Sequence, residues 1–152
     1  MTDAEHAILW QVQVNGWEPS HYNTALRQHR YKRTAELRRA ANWIAAHHAM
    51  QHPGEELPRF AGKVRVRIIR LMGHRQRELD HDGLGAWCKV LLDAIRHPSP
   101  RARHGIGLRI IEDDRPRLCH LHRVRQTRSD DQLPGFKIEV RGLLEDANGA
   151  HP

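Results

Sequence analysis

Cysteine is scarce in this chain: Cys88 and Cys119 are the only two in 152 residues. Two thiols cannot build the multi-bridge framework of a small secreted protein, so a reducing, cytoplasmic compartment is expected, with both cysteines as buried thiols. Long apolar runs are missing too. No stretch approaches the roughly 20 apolar residues needed to cross a bilayer, nor the basic-then-apolar opening of a secretory signal, so no membrane partner is expected. Lysine is rare: Lys32, Lys63, Lys89 and Lys137 are the only four among 25 basic residues, leaving 21 arginines. The mass of 17.7 kDa fits one ordinary domain spanning residues 1–152, with ends at about 1–6 and 145–152 expected to fray.

Acids number 18, giving a formal charge of +7 and a pI near 10.2. Such a balance suits a protein that meets a polyanion. Arginine's planar fork matches phosphate oxygens two at a time, although an arginine-rich genome would supply the same composition. The positions of the arginines therefore matter more than their number.

Ala7–Val14 is β-prone and ends at the turn dipeptide Asn15-Gly16. The next segment, 17–33, interleaves Arg27, Arg30, Lys32 and Arg33 with histidines and tyrosines, a surface suited either to a sugar-phosphate backbone or to a plain polar loop. Leu37, Ala41, Ile44 and Ala45 recur at helical spacing and predict a helix over 34–50. Val64, Val66 and Ile68 alternate with Lys63, Arg65 and Arg67, a half-buried strand with one basic face. Leu84, Trp87, Cys88, Leu91, Leu92 and Ile95 follow helical periodicity without an error and predict a second helix over 82–96. Proline at position 98 stops it. Strands are expected at 108–111, 118–126 and 136–141, the last with Phe136, Ile138 and Val140 inward and Lys137, Glu139 and Arg141 outward. The fold class is thus α/β (α+β), one domain with a mixed sheet and two main helices packed on it.

The acids cluster inside a basic field. Fifteen arginines lie between Pro58 and Arg128, Arg75, Arg77, Arg101 and Arg103 among them as candidate phosphate contacts, while carboxylates gather at Asp80-His81-Asp82 and at Glu112-Asp113-Asp114. Gathered carboxylates repel one another, and a hard divalent cation such as Mg2+ or Mn2+ relieves the repulsion with oxygen ligands. A cation so held, beside arginines, suits phosphodiester hydrolysis. Two solvated acidic turns that balance nearby arginines would give the same pattern. Lys89 shares a helical stripe with Asp82 and Asp93, either to hold a phosphate or as a simple i, i+4 partner of Asp93. Cys119-His120-Leu121-His122 is a weak zinc signal, since on a strand Cys119 points away from both histidines. The four tryptophans, Trp10, Trp17, Trp43 and Trp87, are mostly core by their surroundings, and Trp17 is the one that could instead lie against DNA.

The segment 79–95 (LDHDGLGAWCKVLLDAI) followed by 107–118 (GLRIIEDDRPRL) resembles the RusA family of phage and bacterial Holliday junction resolvases. The opening WEPSHYNTALRQHRYKR is similar to that family's Pro-Ser and Asn ahead of a basic segment. The resemblance implies a RusA-like fold and a Mg2+-dependent endonuclease that cleaves branched DNA, four-way junctions above all, in recombination and repair. It implies metal-binding catalytic aspartates at Asp80, Asp82 and Asp114, with Asp113 as a neighbouring ligand, a catalytic Lys89, and a homodimer. Gly83 stands where the family usually has Asn, and Asp82 and Lys89 lie two helical turns apart where many members have one. A non-catalytic DNA-binding protein of the same fold is the alternative implied by those departures, and a basic protein of RNA or virion assembly is a third.

Overall fold

A computed structural model of the protein describes residues 7–20 and 30–142. The expected frayed ends and Arg27 lie outside the described residues. The elements in chain order are β1 (Ile8–Asn15), α1 (Arg30–Gln51), β2 (Val64–Met72), α2 (His81–Ile95), β3 (Cys119–Leu121), β4 (Arg125–Arg128) and β5 (Gly135–Arg141).

Strand β5 lies between β1 and β2 and runs antiparallel to both, while β3 and β4 lie parallel to β2 along its other side. A parallel neighbour requires a crossover, and α2 lies within it. The described residues therefore form a single small α+β domain with a mixed five-stranded sheet and two helices. No helix among the described residues is long and apolar enough to cross a membrane.

One core joins the helices to the inward strand positions. Trp10, Val12 and Val14 of β1, Val64, Val66 and Ile68 of β2, and Phe136, Ile138 and Val140 of β5 are all buried. The helices contribute Ala40, Ala41 and Ile44, and then Trp87, Leu91 and Ile95. The strict alternation of β2 follows from its two-residue period, with Arg65 and Arg67 on the opposite face. Both cysteines are free and buried. Burial, before any other cause, pushes the Cys88 thiol up to about 12 and the Cys119 thiol to about 11.

Glutamine and histidine side chains close the outer edge of β1. The Gln51 side-chain amide donates to the Gln13 carbonyl at 2.6 Å and accepts from the Gln13 N–H at 3.0 Å, and His52 Nε2 bonds the Gln11 carbonyl at 2.8 Å.

Three expectations are corrected. Residues 108–111 form no strand: Arg109 takes a left-handed φ of 62°, and Ile110 and Ile111 donate to the Ile95 carbonyl, leaving single bridges from Ile111 to Phe60 and Arg96. The expected strand 118–126 is two strands. Between the pairs Val66–Leu121 and Ile69–Arg125, β2 advances three residues and its partner four, so one extra residue interrupts the ladder at 122–124. Glu139 and Arg141, expected outward, are buried and paired with each other at 2.8 Å. Trp17, half-buried, stacks on Trp43 with ring centres 6.1 Å apart and meets Phe136 edge-on, so it packs against the core as the surroundings of the tryptophans lead one to expect. The first helix also begins four residues earlier than expected, at Arg30.

Candidate active site and nucleic-acid groove

The start of α2 is held from beneath. Arg70 occupies an inward position of β2 yet is 1% exposed, so its charge needs partners. Its guanidinium pairs with Glu18 at 3.2 Å and donates to Gln126 Oε1 at 2.9 Å and to the Arg77 carbonyl at 3.1 Å. Gln126 also takes both backbone groups of Leu79, accepting from its N–H at 2.9 Å and donating to its carbonyl at 3.0 Å. The Gln76 amide donates to Glu18 and accepts from the Gly73 N–H. This network fixes residues 73–79, which deliver the chain to Asp80.

Asp80 is the N-cap of α2, its Oδ1 accepting from the Gly83 N–H at 2.7 Å in extended backbone. Asp and Asn both cap well, since they satisfy an orphan donor of the first turn. Asp82 follows in that first turn, exposed, where a carboxylate is favoured by the helix dipole.

The other end of α2 carries a denser cluster. Lys89 donates to Asp114 and pairs with Asp93 at 3.2 Å. Arg96 reaches Asp114 at 3.0 Å and Asp113 at 3.4 Å, and Arg115 pairs with Asp113 at 3.1 Å. Burial opposes ionisation of Asp114, but the bonds from Lys89 and from the Asp113 side and the charge of Arg96 outweigh it, holding Asp114 below the usual carboxylate range. Burial likewise pushes Lys89 down, and Asp114 and Asp93 more than compensate, leaving it above the ordinary lysine value. Asp93 is raised, chiefly by burial, against the pull of Lys89.

The structure thus joins Lys89, Asp113 and Asp114, and leaves Asp80 and Asp82 about two helical turns away, roughly 10 Å along the axis from Lys89. Among the described residues, no three His, Cys, Asp or Glu side chains come together as a group able to hold a metal. The donor chemistry nevertheless suits a hard cation: every candidate ligand is a carboxylate oxygen, and Mg2+ is commonly held by one or two carboxylates with waters and substrate phosphates completing its shell. Asp113 and Asp114 supply such a pair.

Arg96 was not anticipated as a site residue. It lies seven positions beyond Lys89, on the same side of the helix, a signal available in the spacing. Lys32, Arg33, Arg75, Arg77, Arg101 and Arg103 are all exposed, and Arg30 opens α1.

A groove of about 1140 Å3 runs along α2. His81, Leu84, Gly85, Cys88, Lys89 and Leu92 form its helical wall, spaced as one helix face. The facing wall is the interruption between β3 and β4, with His122, Arg123 and Val124, joined by Leu121 and Arg125. Arg67 lines it as well. The sequence places Arg67 on the basic face of a strand and Arg123 and Arg125 within a broad basic stretch; what brings the three to one groove is the parallel pairing of β3 and β4 with β2, which no local pattern shows.

In comparisons with known proteins, no family model, no curated protein and no solved structure matches this chain.

Proposed function

We propose that the chain is a metal-dependent, structure-selective endodeoxyribonuclease that hydrolyses phosphodiesters in branched DNA, four-way junctions among them, as its resemblance to the RusA family implies. The observation that carries this reading is the Lys89–Asp114 pair, because Lys89 also lines a groove rimmed by Arg67, Arg123 and Arg125. A groove of that charge attracts a phosphodiester backbone, and releases counterions as it binds. Lys89 is the cation placed to hold a phosphate or to meet charge developing on its oxygens. Arg96 pairs with both Asp113 and Asp114 and Arg115 with Asp113, which orients the two carboxylates. Mg2+ or Mn2+, held by Asp114 with Asp113, or by Asp80 and Asp82, would polarise the phosphate and lower the pKa of an attacking water. His81, between the two aspartates, lines the same groove. A homodimer matches the near two-fold symmetry of a four-way junction, where two cuts are required. A cytoplasmic location belongs to the same reading.

A second reading, a non-catalytic DNA-binding protein, is favoured by one feature: Asp80 is engaged in capping, and Asp113 and Asp114 are engaged with cations of the chain itself. Cleavage of an end-labelled four-way junction in Mg2+ or Mn2+, with a chelator as control, separates the two. Metal-dependent nicking supports the nuclease; tight binding without nicking in either metal supports the second reading.

A further inference from the structure

The groove along α2 joins two kinds of lining that a duplex does not need together. Among the described residues its rim is basic, with Arg67, Arg123, Arg125 and the Asp-paired Lys89, and Glu78 is the carboxylate in the lining. Its remaining surface is largely apolar, with Leu84, Leu92, Leu121 and Val124. A duplex keeps its base faces stacked inside and presents phosphates and sugars, for which an apolar floor has no counterpart. An unpaired strand presents both phosphates and bare base faces. The groove is also larger than the roughly 300–1,000 Å3 of a small-molecule pocket, and two imidazole rings, His81 and His122, belong to its walls as surfaces on which bases can stack.

We infer that this groove seats an unpaired DNA strand of a few nucleotides, its phosphates on the arginine rim and its bases on the apolar floor. This rests on the reading of the chain as a DNA-processing protein and narrows its substrate class to branches with an unpaired segment at or beside the branch point. The walls are built in advance. Gln126 ties Leu79 to β4 through two hydrogen bonds, and the extra residue between β3 and β4 turns Arg123 and Val124 toward α2. A preformed groove spares the ordering cost that a loop-built site would incur on binding.

Fluorescence anisotropy with a labelled oligothymidylate, a blunt hairpin duplex of equal phosphate number and a four-way junction tests the inference on the full chain. The wild-type protein should bind oligothymidylate about tenfold tighter than the duplex, the scale of one or two stacked bases. Leu121→Ser, at a position 36% exposed and so tolerant of change, should remove most of that preference while duplex binding stays within about twofold. Arg123→Ala, at an exposed position, serves as the second variant and should reduce the salt dependence of oligothymidylate binding by about one phosphate contact. If the duplex and junction are bound but the single strand gains nothing over the duplex, or if both variants weaken all three ligands equally, the inference is overturned and the proposed function stands. If none of the three DNAs is bound at low salt, the proposed function fails and takes the inference with it.

Discussion

The two ends of α2 use carboxylates in opposite ways. At the N-terminal end, Asp80 gives an oxygen to the Gly83 N–H and Asp82 stands exposed, so the stabilising partner is the backbone and the helix dipole. At the other end, Asp93, Asp113 and Asp114 share Lys89, Arg96 and Arg115, so the partners are side-chain cations. The first arrangement tolerates replacement of a carboxylate by an amide, because capping needs an oxygen rather than a charge. The second does not at Asp113 and Asp114, because an amide there leaves Arg96 and Arg115 or Lys89 unbalanced, whereas Asp93 only shares a lysine that Asp114 also holds. The difference provides a way to tell catalytic loss from structural loss within one helix.

The largest effect is expected beneath the N-terminal end. Glu18→Ala leaves the Arg70 guanidinium buried with its carboxylate gone, and should cost about 3–5 kcal/mol, read as a drop in the denaturant midpoint. A midpoint within error of wild type would show that Gln126 and the Arg77 carbonyl suffice. Next is activity. Asp114→Asn and Asp82→Asn should each lower junction cleavage by about two orders of magnitude or more while junction binding survives. Near wild-type cleavage by Asp82→Asn would leave the N-terminal carboxylates with a purely structural role.

Acid should act through Asp114 of the second cluster and through the buried Glu139–Arg141 pair of β5. Asp114 and Glu139 both sit below the usual carboxylate range, so the stability they contribute is complete above about pH 4 and is lost as pH falls through their lowered folded-state values. Asp93, raised, holds its proton more readily in the fold and partly offsets them in that window. Asp114→Asn should therefore flatten the fall in melting temperature between about pH 5 and pH 3, and an unchanged slope would remove Asp114 from that account.

Asp80→Ala should cost about 1 kcal/mol, or roughly 2–4 °C in melting temperature, whereas Asp80→Asn should cost almost nothing in stability. The smallest effect is that of Asp93→Asn, which removes a half-exposed i, i+4 pair worth a few tenths of a kcal/mol and leaves Lys89 its bond to Asp114.

What the sequence made legible was local. The periodicity from Leu84 to Ile95 located α2 within one residue at each end, and the alternation of β2 and the inward triad of β5 were equally plain. The spacing of Lys89 and Asp93 announced their pair. The rest depended on comparing distant segments. Residues 118–126 look like one strand until their register against β2 exposes the extra residue. Glu139 and Arg141 look outward because alternation says nothing about whether two opposite charges two residues apart will shield each other. The run Ile110-Ile111 looks like a strand because its apolar residues are in the core, although their N–H groups serve the end of α2. The meeting of Asp114 with Lys89 spans 25 residues of chain, and nothing local encodes it.

Edge strands ordinarily offer a free row of backbone groups to any passing strand. Here Gln51 and His52, from the end of α1, occupy that row at Gln11 and Gln13 as a surrogate strand would. A second copy of the chain cannot continue the sheet across β1 without first evicting them, so fibre-like stacking is discouraged at that border.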